Sequence, residues 1–402
     1  MKINKNIFGA LLLIVVVACS SPNFKDLATK KLNQFLAAHS EISATYFVTK
    51  GDEVIIEGAQ GFFDKEKKIS LVKNQIMPIA SGTKQMTAAM ILRLQERGIL
   101  SIQDSLAKFL PSDSGWWPEN KTPEWAYKVS VHTLLNHTSG IAEYIPALKF
   151  DIKLGHDKIK HLITAYAANT PLLDEPGASY NYSNTGYFFL GLIIEKLTNQ
   201  DLATVYKTEF FDPLDMKDTH MVSFDEAIQF QDDQLKNYPR RYFGIPTGFE
   251  PKYMPAKVDF YLVPFSDGGV VSTSSDLIKW NKSFHNGKIV SEYSYKLMTT
   301  PYNDTHDLLA KDVKTGYGIY IHKLPSGQIV YYHSGRAVGI RSEHGYIPAS
   351  DLYFAILSNV MVYETEEMQG KVDYTNIANQ FDIEFLRSEI CDLTNINSES
   401  AR

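Results

Sequence analysis

The stretch MPIASGTKQMTAAMILRLQERG, Met77 to Gly98, decides how this chain is read. It sets Ser81 and Lys84 three residues apart at the mouth of an apolar segment that ends at Gly98. Met86, Ala89, Met90 and Leu94 recur at helical spacing, so residues 84 to 97 are expected to form a buried, central helix. Residues i and i+3 share a helix face, with Cβ atoms roughly 5 to 6 Å apart, so Lys84 can reach Ser81. The positive end of the helix dipole favours negative charge developing near the serine oxygen. A serine hydroxyl is a weak nucleophile until a base takes its proton, and a lysine acts as that base near neutral pH only where its surroundings lower its pKa. Spacing alone does not choose the pair, because Ser-x-x-Lys also occurs at Ser70 and Lys73 and at Ser105 and Lys108. The first of these lies in a polar loop and the second on the wet side of an amphipathic segment, IQDSLAKFL. Both are expected to be solvated.

Two later segments bear on the choice. EPGASYNYSNTGYFFLGLIIEKL places Tyr182, Ser183 and Asn184 just before a second apolar helix. A phenol beside a cation can pass a proton to a leaving group, and an amide can bond both a lysine and an acylamino substrate. The plain alternative for Tyr182 is a core or turn tyrosine, and Tyr374 and Asn376 repeat the spacing. In YYHSGRAVGIRSEHGYIP, His333, Ser334 and Gly335 end an apolar strand, whose backbone can line a substrate. Its plain alternative is a histidine buried in a sheet.

Taken together, Ser81-Gly-Thr-Lys84, Tyr182-Ser-Asn184 and His333-Ser-Gly335, in that order and 101 and 151 residues apart, resemble the three motifs of serine β-lactamases and penicillin-binding proteins. The tyrosine of the second motif points to the branch holding class C β-lactamases, D-alanyl-D-alanine carboxypeptidases and carboxylesterases. LLNHTSGI at 134 to 141, GGVVSTSSDL at 268 to 277 and a final LSN extend the likeness over nearly the whole chain past its leader. The resemblance implies an α+β, β-lactamase/transpeptidase-like fold, with an antiparallel sheet flanked by helices and an inserted, mostly helical lobe. It implies Ser81 as nucleophile, Lys84 and Tyr182 as proton carriers, and Asn184, His333, Ser334, Gly335 and Arg336 as substrate-binding positions. The oxyanion would be held by the backbone N–H groups of Ser81 and Arg336. No cofactor or metal is implied.

Three departures matter. Arg336 stands where the family usually has a small residue, and its side chain must point away or meet substrate. His333 replaces the lysine of many third motifs, and a neutral imidazole grips a carboxylate less firmly than an ammonium does; Arg336 or Arg341 could supply that charge. No match to the glutamate-bearing deacylation loop of class A enzymes is seen. The expected substrates are therefore D-alanyl peptides or small esters before β-lactams, with a class C-like β-lactamase as one alternative and a non-catalytic sensor of β-lactams or peptidoglycan fragments as the other. Lys314-Thr315-Gly316 spells the lysine form of the third motif, on the strand expected before that of His333, and reads as a surface decoy.

Composition agrees with a globular protein of two lobes: 402 residues, 44% hydrophobic and 21% charged, with a formal charge of -6 and no long basic run that would bind nucleic acid. The leader MKINKNIFGALLLIVVVACSSP reads as an export signal over residues 1–18, and Val16-Val17-Ala18-Cys19 resembles a bacterial lipobox that would lipidate Cys19. The expected product is an exported lipoprotein held at a membrane, facing the periplasm or the exterior. With Cys19 so used, Cys391 has no disulfide partner and sits in what reads as a polar tail. The rest divides into a sheet lobe of residues 19–100 with 255–402 and a mostly helical lobe of 101–254. The aromatic stretch at 239 to 265 suits a loop over the cleft or an ordinary surface crossing, and a last helix is expected over 376 to 387.

Overall fold

A computed structural model describes residues 24–40, 42–145, 147–148, 154–223, 225–227, 239, 242–245, 252–255, 265–305, 312–337, 339–362 and 383–393. The leader, Cys19 and Tyr374 to Asn376 lie outside the described residues.

The N-terminal third holds α1 (Phe24–Ala38), the hairpin β1 (Ala44–Lys50) and β2 (Glu53–Gln60) turning at Lys50 to Asp52, and the short strands β3 (Phe62–Asp64), β4 (Ile69–Ser70) and β5 (Met77–Pro78). The helix α2 (Thr83–Glu96) follows. Helices then dominate: α3 (Leu106–Phe109), α4 (Val131–Leu135), α5 (His156–Asn169), α6 (Asn184–Thr198) and α7 (Leu202–Tyr206). Next come β6 (His220–Met221), β7 (Tyr242–Ile245), β8 (Lys252–Pro255), β9 (Val270–Ser272), α8 (Ser274–His285) and α9 (Glu292–Met298). The chain returns to sheet in β10 (Asn303–Asp304), β11 (Val313–Thr315), β12 (Tyr320–Lys323), β13 (Ile329–Ala337), β14 (Ile340–Ile347), β15 (Leu352–Ser358) and β16 (Val360–Val362), and α10 (Ile383–Asp392) follows.

One eight-stranded antiparallel sheet, in the order β10-β11-β12-β13-β14-β15-β1-β2, carries the architecture. β1 pairs with β15 from Ala44 opposite Ser358 to Lys50 opposite Leu352, so strands from the two ends of the sequence meet side by side, with β2 closing that edge of the sheet. Every residue of β15 is buried, because both faces of the sheet are covered. On one face, Leu32 and Leu36 of α1 pack with Ile390 of α10 over Val48, Phe354 and Ile356. The opposite face meets α2, α6 and α8 in a larger core that includes Met90, Phe188 and Trp280. α2 is buried from Thr83 through Leu92, which makes it the central helix of that layer.

Three local expectations change. Residues 242–245 and 252–255 form an antiparallel strand pair beside β16, not an irregular crossing. The last described helix runs to Asp392, so Cys391 belongs to a buried helical face and not to a polar tail. Burial pushes its thiol up to about 12, which leaves it a packing residue. Lys314 lies on β11, separated from β13 by β12, and pairs with Asp304 at 2.8 Å.

Candidate active site

Met77 and Pro78 pair with β9, and the chain then enters a tight turn at Ala80 to Gly82 that leads into α2. Ala80 takes a left-handed φ of 44° immediately before Ser81. Such backbone strain at a non-glycine residue persists only where the surroundings hold it. Those surroundings are visible. The Ile79 N–H donates to the Val270 carbonyl, and the Ile79 carbonyl accepts from the Ser342 hydroxyl at 2.6 Å. β13 then passes so close that a Cβ on Gly335 would lie 2.0 Å from the Ile79 oxygen. Only glycine at that position lets the strand press on the turn that presents Ser81.

Lys84 is wholly buried on α2. Its Nζ donates to Ser81 Oγ at 3.1 Å, Asn184 Oδ1 at 2.6 Å and the Asp267 main-chain carbonyl at 2.6 Å. Burial lowers its pKa to about 8, and the negative charges of Asp267 and then Glu143 resist the fall. In the other two serine–lysine pairs the lysine side chain turns to a carboxylate and not to the serine hydroxyl: exposed Lys73 pairs with Glu57, and exposed Lys108 pairs with Asp104.

Tyr182 reaches Ser81 through a hydrogen bond between the two hydroxyls, while burial drives the phenol's pKa far above its usual range. The phenol is therefore neutral at rest, which leaves Lys84 as the stronger base of the two. The Tyr182 ring stacks on His137 with centroids 4.4 Å apart, and Lys84 Nζ lies 5.0 Å from its centre. His137 has a left-handed φ of 63° and accepts the Ser183 N–H at its Nδ1. Ser183 caps α6 by accepting the Gly186 N–H, so Asn184 projects from the helix's first turn onto Lys84. The Asn184 N–H in turn donates to Glu143 at 2.6 Å.

The third motif divides between two faces of β13. His333 is buried, donates from Nδ1 to the Ser334 carbonyl at 2.7 Å, and has its pKa lowered to about 3, chiefly by burial and then by Lys84. It is a neutral ring packed against Tyr320. Ser334 and Arg336 line an open cleft of about 510 Å³ together with Ser81, Tyr182 and Asn184. Arg341, the other charge considered for this cleft, is instead buried on β14 with Glu343 4.0 Å away.

Sequence reasoning missed several residues here. Tyr180, Asn181, Thr305 and Tyr320 complete the cleft. Glu143, Tyr144 and Asp267 stand behind Lys84 and Asn184. The available signal was adjacency: Glu143 lies two residues beyond the LLNHTSGI segment, and Asp267 directly precedes GGVVSTSSDL.

The protein-family model described as Beta-lactamase matches residues 28–375. The chain is 25% identical over 313 residues to Penicillin-binding protein 4* of Bacillus subtilis (strain 168), covering 76% of this chain and 65% of that protein. It is 29% identical over 177 residues to Protein flp of Staphylococcus aureus (strain MW2), covering 44% of this chain and 34% of that protein. It thus spans less than two thirds of the length of these curated relatives. Among solved structures, the octameric penicillin-binding protein homologue from Pyrococcus abyssi aligns with a TM-score of 0.67 and 26% identity over 83% of this chain and 74% of that one. D-amino acid amidase from Ochrobactrum anthropi SV3 shares the fold, with a TM-score of 0.71 and 18% identity over 94% of this chain and 100% of that one. With the family match spanning most of its length, and with Ser81, Lys84, Tyr182 and Asn184 joined in one hydrogen-bonded group, this chain belongs to the beta-lactamase family.

Proposed function

We propose that the protein is a serine hydrolase that works through an acyl-enzyme on Ser81. The observation that carries this reading is the buried Lys84, held 3.1 Å from Ser81 Oγ with its pKa brought down to about 8. Ser81 Oγ attacks the substrate carbonyl carbon as its proton passes to Lys84. The proton then travels through the Tyr182 hydroxyl to the leaving nitrogen or oxygen as the acyl bond to that group breaks. Water attacks the resulting ester on Ser81 with the same residues carrying its proton. The N–H groups of Ser81 and Arg336 stabilise the oxyanion, and Asn184 holds Lys84 and the substrate's acylamino group.

D-Alanyl peptides, related amides and small esters fit this site better than β-lactams. A neutral His333 supplies no fixed cation for a carboxylate, so Arg336 at the cleft is the group that recognises one when the substrate carries it. The relatives include a penicillin-binding protein, and one structural neighbour is a D-amino acid amidase. The cleft would lie between a sheet lobe of residues 19–100 with 255–402 and a helical lobe of 101–254. The leader and Cys19 support export followed by lipid anchoring. Replacing Cys19 by Ala should then release the protein from the membrane fraction, and retention of that variant would argue against the anchor.

Intact-protein mass spectrometry of residues 23 to 402, with a chromogenic ester, a D-amino acid amide and a penicillin in turn, tests the reading. An acyl adduct or turnover that disappears in Ser81→Ala supports it. Equal turnover in wild type and Ser81→Ala sinks it.

A further inference from the structure

Behind the groups that touch Lys84 lies a second, organised layer of residues. The Asp267 carbonyl accepts from Lys84, while the residue is 5% exposed and its carboxylate turns to buried Tyr144. There Oδ2 accepts the hydroxyl of buried Tyr144 at 2.7 Å, and Oδ1 has no hydrogen-bond partner among the described residues. The neighbouring Glu143 accepts the Asn184 N–H at 2.6 Å and the Ile145 N–H at 3.1 Å. A single dipeptide, Glu143-Tyr144, therefore braces Asn184 and Asp267, two of the three residues that accept from Lys84. The Tyr144 N–H is itself tied to Thr185 Oγ1 at 3.0 Å, which locks the dipeptide to α6.

We infer that Asp267, braced by the Tyr144 hydroxyl, is a positioning residue that sets the protonation state of Lys84. The inference rests on the proposed role of Lys84 as the base for Ser81. Burial raises the pKa of this carboxyl group, while the charge of Lys84 and the Tyr144 hydroxyl hold it down, and a buried carboxylate with no ion pair among the described residues is an expensive group to keep in a core. Its charge is worth keeping where a cation nearby must be retained in part. Asp267 is the largest charge favouring the ammonium form of Lys84, ahead of Glu143. The other groups facing Lys84 push the opposite way or are neutral: His137 behind Tyr182, His333 on β13, and the phenols of Tyr182 and Tyr187. With Asp267 charged, Lys84 stays poised between its two forms. It can then take the serine proton and afterwards give it up to the leaving group, which a lysine fixed in either form cannot do.

The sign of the test follows. Asp267→Asn removes the negative charge and lowers the pKa of Lys84, so the free base is present at lower pH. The acid limb of kcat/KM for ester hydrolysis should move down by about one pH unit, the size of shift a single close charge produces. Tyr144→Phe, which removes the side-chain hydrogen bond that helps keep this carboxylate charged, should move it the same way by less and serves if the first variant folds poorly. The titration of Lys84 is read directly in protein labelled with 13C at lysine Cε, its resonance assigned by loss in Lys84→Arg. A downward shift of that titration in both variants supports the inference. An unmoved Lys84 titration overturns it, including the case where activity falls equally at all pH values and Asp267 is only a packing residue. If Ser81→Ala retains ester hydrolysis, the functional reading fails while the labelled titration still judges Asp267.

Discussion

Two buried charges on opposite faces of the sheet are handled in opposite ways. On the face covered by α10, fully buried Glu343 meets Arg387 Nε at 2.7 Å, with the Arg341 guanidinium 4.0 Å away. On the face covered by α2, the three acceptors around Lys84 are a hydroxyl, an amide oxygen and a main-chain carbonyl, none of them a carboxylate. A direct counter-ion holds a charge in place by keeping it charged, whereas neutral acceptors hold the atom without fixing the proton. The first arrangement suits structure, and the second suits a group that must gain and lose a proton.

That contrast breaks most sharply at Ser81, the proposed nucleophile. Ser81→Ala should reduce ester hydrolysis by about 10⁴-fold or more, since losing one member of a concerted unit costs nearly as much as losing all. Lys84→Met should cost a similar factor while leaving Tm unchanged or higher, because a desolvated amine disappears from the core. Calorimetry beside a rate assay checks both, and a large fall in Tm for Lys84→Met would show that the lysine is structural after all. Glu343→Ala predicts the reverse pattern. It strands Arg387 and should cost about 3 to 5 kcal/mol in denaturant unfolding, with kcat per folded molecule nearly kept.

Smaller effects sharpen the picture around the Ser81 turn. Gly335→Ala forces a methyl against the Ile79 carbonyl and should cost about 1 to 3 kcal/mol of stability, with a fall in kcat as the turn shifts. The pH profile carries the mildest expectation. Lys84 acts as base only when unprotonated, so kcat/KM should rise with pH and level off near its pKa of about 8. Below that point it should fall about tenfold for each pH unit. A profile flat from pH 6 to 9 would remove Lys84 from the base's role.

Much of this was legible in advance where the signal is local. The apolar spacing of Met86, Ala89, Met90 and Leu94 marked α2, and Lys50 to Asp52 marked the first hairpin. Residues 242–245 and 252–255 were less legible, because β7 pairs with both β8 and distant β16, and pairing partners leave no mark on a strand's own composition. Cys391 misled for a similar reason: a few polar neighbours suggested a tail, while burial of the thiol depends on what α10 packs against.

For the site itself, residue types in order were enough to nominate Ser81, Lys84, Tyr182 and Asn184, since a nucleophile, its base and their amide and phenol partners are chemically constrained. Which of three serine–lysine pairs is desolvated was a tertiary question, answered only when α6 and the Asp267 loop closed over Lys84. The neutrality of His333, the diversion of Arg341 to the neighbourhood of Glu343 and the bracing of Asp267 by Tyr144 were likewise decided in three dimensions. Sequence names the groups that can carry a proton. Burial and the charges brought near by distant segments set the pH at which they do so, because desolvation and Coulomb energy depend on distances that no spacing along the chain records.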